Sequence, residues 1–419
     1  MYLLNKKDTS ICFALPADGG RLVVDTSYGK LKGTTLMVKE TDRTVDTFYG
    51  IPFAKPPVGP LRFAAPEPPE PWKSVREATE NPPMCPQNAE HFGKALKLID
   101  MVVTLPPTSE DCLYLNVFTP SDRGVNAKLP VMVFLHGGGL VMGTAAMYDG
   151  SAICAHENVV YVVIQYRLGI LGFLSTGDGQ AASGNYGLLD QVAALRWIQG
   201  NIKDFGGDPG SVTIFGESAG GISVSALVLS PLARGLFHCA IAQSGVAIMQ
   251  GFMVSSPKEV IFFRDFVANL SGCEPSSLVD CLRMKSEQEI SSIMSNSNFL
   301  PIPACVDGIF LPKPAEEILA AKENSKVPFI IGVTEQEFGW IASQVGNPSS
   351  VIVCRQVRSL GSQLKVCQKS VESLSKVCRT GYRTFVAEKS DRVYAALVCS
   401  QFLPPPSNYC VTLTFRTES

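Results

Sequence analysis

The chain has 419 residues, with 36 Lys and Arg against 38 Asp and Glu and a formal net charge of −2. That balance, without any basic stripe, argues against nucleic acid as a partner, and 46% hydrophobic residues indicate a globular body able to bury a large core. No stretch reaches the ~18 to 20 consecutive apolar residues of a membrane helix, and the best candidate, 159–174, is broken by Gln165 and Arg167.

Along the chain, the first twenty residues hold two short apolar runs, Met1 to Leu4 and Ile11 to Leu15, split by NKKDTS. A secretory leader needs a basic start and then ~7 to 15 apolar residues, so no leader is visible; the readings are a cytosolic form or an altered start, and the altered start is expected. Leu22 to Gly50 alternates apolar and polar residues, which predicts antiparallel edge hairpins. Gly50 to Trp72 is rich in proline and is expected to be an ordered surface loop. Cys85 and Cys112 bracket a further stretch, read as a loop, that contains no tryptophan.

Four short apolar runs follow, Val131 to Leu135, Val159 to Ile164, Val212 to Phe215 and Val327 to Ile331, with helical patterns between them. Apolar runs separated by helices predict parallel strands covered on both faces. The clearest helix is Leu188 to Ile202, where Leu188, Val192, Leu195 and Ile198 recur at helical spacing, with Asn185 and Gly206 as its end markers. No internal repeat appears before residue 350, and no metal-ligand spacing, phosphate loop or dinucleotide fingerprint is present, so no cofactor and no metal are expected.

Two glycine-rich stretches carry the chemistry. LHGGGL, Leu135 to Leu140, leaves the end of a predicted strand in the HGGG pattern of an oxyanion loop. FGGDPGSVTIFGESAGG, Phe205 to Gly221, runs a strand into Ser218, which Gly216 and Gly220 flank as G-x-S-x-G. This is the pattern of a nucleophile elbow, in which a serine hydroxyl stands above a sheet and a helix N-terminus faces it. A chance glycine loop is the competing reading for either motif alone. His136, beside the glycines, is read as a structural hydrogen-bonding residue in preference to a base.

FGGDPGSVTIFGESAGG together with EDCLYLNVFTP, Glu110 to Pro120, resembles the two signatures of the type-B carboxylesterases, the vertebrate carboxylesterases more than the cholinesterases. The resemblance implies an α/β-hydrolase fold, with a mostly parallel central sheet, helices on both faces and a truncated C-terminal part. It also implies hydrolysis of carboxylic esters or amides through an acyl-serine. By that correspondence Ser218 is the nucleophile, Gly138, Gly139 and Ala219 are the oxyanion donors, and Ser244 is a neighbour of the acid. QEFGW resembles the acid-bearing segment, which assigns the triad acid to Glu337; Glu335 is the alternative.

The same resemblance implies disulfides Cys85–Cys112 and Cys273–Cys281, and with them the endoplasmic reticulum lumen or secretion. The sequon at Asn269 fits that compartment. Buried free thiols are the competing reading, and the odd total of 13 cysteines leaves at least one thiol unless it pairs between chains. Without a tryptophan in the 85–112 stretch, an aromatic platform for choline esters is not expected from it.

The triad base is expected after the acid, yet the four histidines are His91, His136, His156 and His238, all upstream of Glu337. From 351 to 419 the chain changes character: ten Lys or Arg against four Asp or Glu, and five of the 13 cysteines. These features divide the chain into a 20–347 α/β-hydrolase domain, incomplete at its end, and an unrelated, poorly ordered 348–419 tail. Two functions are carried forward: an ester hydrolase impaired by the missing base, or a catalytically silent esterase-fold binding or adhesion protein. Oligomeric state is not legible.

Overall fold

The computed structural model describes residues 22–39, 41–98, 101, 103–177, 182–249, 251–296 and 301–334, and the backbone of 385–389 and 392–396. The chain begins with the expected hairpins: β1 (Val23–Thr26) pairs antiparallel with β2 (Gly29–Lys32), and β3 (Thr34–Met37) with β4 (Thr44–Pro52). The proline-rich stretch after β4 carries one 3₁₀ turn and then β5 (Arg76–Glu77), which adds to β2. The 85–112 stretch is more than a loop, because it contains α1 (Ala89–Leu98). Phe92 and Leu96 of this helix bury against Met84 and pack beside Met142 and Met147.

The central sheet adds β6 (Tyr114–Pro120), β7 (Leu129–Leu135), β8 (Val160–Ile164), β9 (Gly207–Glu217), β10 (Cys239–Gln243) and, after the short pair β11 (Met253–Val254) and β12 (Ala304–Cys305), β13 (Phe329–Gly332). Its eight strands run in the order β13-β10-β9-β7-β8-β6-β4-β3. The five from β13 to β8 are parallel and the rest antiparallel, so the four apolar runs of the sequence are all parallel strands.

The helices between them are α2 (Ser151–Glu157), α3 (Gly169–Phe173), α4 (Tyr186–Asn201), α5 (Ala219–Leu229), α6 (Pro257–Ser271), α7 (Leu278–Met284), α8 (Glu287–Asn296) and α9 (Ala315–Ala320). Strand alternation sorts the core into two layers. Val131, Val133, Leu135, Val212 and Ile214 join α4 and α5 on one face, while Met132, Phe134, Phe215 and Ile241 meet α2 on the other. This is the doubly covered sheet expected of strands with no polar side.

Several polar residues are buried where the sequence read only interruptions. Arg167 places three nitrogens on the Asp190 carboxylate at 2.7 to 3.0 Å, and both are almost fully buried. Asn185 does sit at the start of α4 with φ 58°, but its side chain does not cap the helix. Its amide instead exchanges two hydrogen bonds with the Cys305 backbone, at 2.7 and 2.9 Å, tying β12 to the helix. Both expected disulfides are formed, Cys85–Cys112 and Cys273–Cys281, while Cys154 and Cys305 are buried thiols. Farther along, β14 (Phe385–Lys389) and β15 (Arg392–Ala396) pair as an antiparallel hairpin.

Candidate active site

The site lies where β9 turns into α5. Ser218 holds that turn at φ 58° and ψ −123°, a conformation unfavourable for a residue with a Cβ. Three contacts hold the strain. The Ser218 N–H donates to the Gln243 carbonyl of β10 at 2.8 Å, the Ser218 carbonyl accepts from the Ile222 N–H at 3.0 Å, and Gly245 lies so close that a Cβ there would sit 2.2 Å from the Ser218 carbonyl oxygen. Gly220 meets β7 directly, since a methyl in its place would fall 2.0 Å from the Leu135 carbonyl oxygen. Only glycine fits, and the elbow is therefore locked against two neighbouring strands.

The HGGG segment follows β7 and turns beside the serine. A Cβ on Gly137 would lie 3.2 Å from the Ser218 Cβ, so the loop and the hydroxyl-bearing residue are in contact. Gly138 and Gly139 both have positive φ, 107° and 65°. The planar trans peptide directs its N–H opposite to its C=O, so whatever holds a carbonyl here aims the following amide. Nδ1 of His136 meets the Gly137 carbonyl at 2.9 Å, and that pair sets the Gly138 N–H. The N–H groups of Val141 and Met142 donate to the Gly138 carbonyl at 3.1 and 3.0 Å, which sets the Gly139 N–H. Ala219 is the first residue of α5 and is fully buried, at the positive end of the helix.

His136 is 1% exposed, stacks on Tyr166 at 4.4 Å between ring centroids, and is lowered to about 4 by burial. A carbonyl only accepts, so Nδ1 carries the proton and the ring is neutral. This matches the structural reading of His136. Tyr166 donates its phenolic O–H to the His136 carbonyl at 2.7 Å, and burial pushes that phenol far above its ordinary range. Of the other histidines, His91 and His156 are exposed on α1 and α2. His238 accepts the Val212 N–H on Nδ1 at 3.2 Å, and burial lowers it.

Ser244 has φ 54° and donates its N–H to the Gly332 carbonyl at the end of β13, at 2.7 Å. Glu337 and its alternative Glu335 lie outside the described residues. Sequence reading assigned no role to the polar residues behind the HGGG loop, Gln87, Gln165 and Tyr166. Only Gln165 left a signal, and a negative one: with Arg167 it breaks the apolar 159–174 stretch, which otherwise reads as a plain buried strand and turn.

An eight-stranded, largely parallel sheet with a strained serine between a central strand and a buried helix defines an α/β-hydrolase. The chain belongs to the carboxylesterase family, whose profile matches residues 20–398, a span that includes the 22–334 body and the 385–396 hairpin. It is 54% identical over 327 residues to a cocaine esterase of Oryctolagus cuniculus, covering 77% of this chain and 60% of that protein. It is 54% identical over 324 residues to the medium-chain fatty acyl-CoA hydrolase precursor of Anas platyrhynchos, covering 76% and 57%. Carboxylesterase 1D of Mus musculus is 51% identical over 360 residues, covering 81% and 63%. The chain thus spans less than two thirds of the length of these relatives.

Proposed function

We propose that this chain carries the acyl-transfer half of a serine carboxylic ester hydrolase. Ser218 is the nucleophile, the N–H groups of Gly138, Gly139 and Ala219 receive the developing oxyanion, and Glu337 is the triad acid. The observation that carries this reading is the close packing of the strained Ser218 against the turn of the HGGG loop, where a Cβ added to Gly137 would fall 3.2 Å from the Ser218 Cβ. A serine in a disfavoured conformation, flanked by amides with fixed carbonyls, is an arrangement that binding alone does not require.

In the reaction the Ser218 Oγ bonds to the substrate carbonyl carbon, and the carbonyl electron pair moves onto oxygen, facing the three amides. The proton lost from the Ser218 hydroxyl passes through an acceptor to the alcohol oxygen as collapse breaks its bond to carbon; water then attacks the acyl-serine, its hydroxyl goes to the released acid and its proton restores the Ser218 hydroxyl. Each amide donor contributes about 3 to 4 kcal/mol to the transition state by analogy with deletions elsewhere.

The proton acceptor is the weak part of this constellation. No histidine follows Glu337 in this chain, and the four upstream residues are spoken for or exposed on other elements. The 419-residue chain by itself should therefore turn over esters about 10⁴ to 10⁶ times more slowly than one with a complete triad. Substrates are proposed to be small aliphatic or aromatic esters or amides. The two disulfides, and the fact that the Anas platyrhynchos relative is named as a precursor, support an oxidising secretory compartment.

A fluorophosphonate probe tests the reading. Stoichiometric labelling of Ser218, lost in Ser218→Ala, with little turnover of p-nitrophenyl acetate, is the expected result. Neither labelling nor turnover would favour the silent binding protein, and rapid turnover would overturn the missing-base claim.

A further inference from the structure

We infer that Gln87 is a positioning residue for the oxyanion loop, acting from the disulfide-bonded segment through Gly143 and His136; this rests on the reading of the loop given above. Gln87 is 3% exposed and follows Cys85 by two residues. Its Oε1 accepts the Gly143 N–H at 2.9 Å, and its Nε2 donates to the Gly143 carbonyl at 2.9 Å and to the Cys85 carbonyl at 3.0 Å. Gly143 offers one donor and one acceptor, so only one orientation of the carboxamide satisfies both, and no other side chain of that length supplies the same pair at every pH.

Gly143 bears directly on the histidine that sets the Gly138 amide. Its φ is 129°, and a Cβ there would stand 2.2 Å from Nδ1 of His136. The Gly143 backbone therefore forms a wall against the ring edge that meets the Gly137 carbonyl. If Gly143 retreats, the ring gains room, the Gly137 carbonyl loses its fixed partner and the Gly138 N–H loses its aim. A second buried amide reinforces the tie, because Gln165 accepts from the Thr144 hydroxyl at 2.9 Å and donates to the Pro83 and Cys112 carbonyls, each at 2.9 Å. Residues 143 and 144 are thus fastened to both sides of the Cys85–Cys112 bridge.

The discriminating variant is Gln87→Glu. Its protonated acid can still accept from the Gly143 N–H and donate to a carbonyl, as the amide does. Its carboxylate can only accept, and it would face the Gly143 and Cys85 carbonyls. Burial among acceptors raises such an acid above the usual carboxyl range, so a single protein is switched between the two states by pH.

The readout is the second-order rate of fluorophosphonate labelling at Ser218, taken at each pH as a ratio to wild type. Gln87→Glu should label within about threefold of wild type at low pH and fall to about a hundredth at pH 8, the scale of one lost oxyanion donor. Gln87→Leu should be about a hundredfold slow throughout, with unchanged initial probe affinity. Labelling of Gln87→Leu at the wild-type rate, or a Gln87→Glu ratio that is flat with pH, would overturn the inference. If wild-type Ser218 takes no label, the nucleophile reading fails separately. The inference is then decided by amide hydrogen exchange over 137–143, which should quicken in Gln87→Glu at high pH and not at low pH, and unchanged exchange would sink it.

Discussion

The two walls of the site are built by different means. The elbow is held by backbone against backbone: Gly220 on the Leu135 carbonyl, Gly245 on the Ser218 carbonyl, and the Ser218 N–H on Gln243. The HGGG loop is held largely through side chains: Tyr166 on the His136 carbonyl, His136 of the loop itself on the Gly137 carbonyl, and Gln87 on Gly143. The first wall has no slack, because a close approach between main chains leaves nothing to rotate. The second can be adjusted one hydrogen bond at a time. Changes at the elbow should therefore act all at once, and changes at the loop by degrees.

The largest effect is expected where backbone packing is tightest. Gly220→Ala should cost about 4 kcal/mol of stability, at the upper end for a point change, since its methyl meets a carbonyl oxygen of the central strand β7. Denaturant midpoints measure this, and a cost near zero would mean that elbow and strand can separate.

Next comes the acid response of the loop. Burial lowers His136 from 6.5 to about 4, so between those values the unfolded chain binds a proton that the folded chain refuses. The contribution of neutral His136 is complete above pH 6.5 and is lost as pH falls toward 4, a total of roughly 3 kcal/mol. Stability measured from pH 7 to pH 4 should show this fall in wild type and a shallower one in His136→Gln.

Tyr166→Phe removes the donor to the buried His136 carbonyl and should cost about 1 to 2 kcal/mol. Slower labelling of Ser218, with the serine conformation retained, would show the loop responding apart from the elbow. The smallest effect has the opposite sign. Ser218→Gly relieves a positive φ and should add about 1 kcal/mol of stability while abolishing labelling. A loss of stability would mean that the serine side chain holds the turn.

The contrast also explains what could be read in advance. Gly216, Ser218 and Gly220 are close in sequence, and the apolar runs announce the parallel strands directly, so the elbow and most of the sheet were legible. Gln87 and Gly143 are 56 residues apart, and nothing local to either marks the pair. The helix α1 inside the disulfide-bonded stretch was missed for a related reason. Its packing partners, Met142 and Met147, come from the far side of β7.

Sequence alone determined the chemistry on offer: a glycine-flanked serine after a strand, a glycine-rich loop after another, and no histidine beyond residue 337. Tertiary structure alone decided how the loop amides are aimed. Their direction depends on carbonyls whose partners, apart from the loop itself, come from the turn after β8 and the 85–112 segment. A hydrogen bond is satisfied by distance and angle in space, which local sequence does not record.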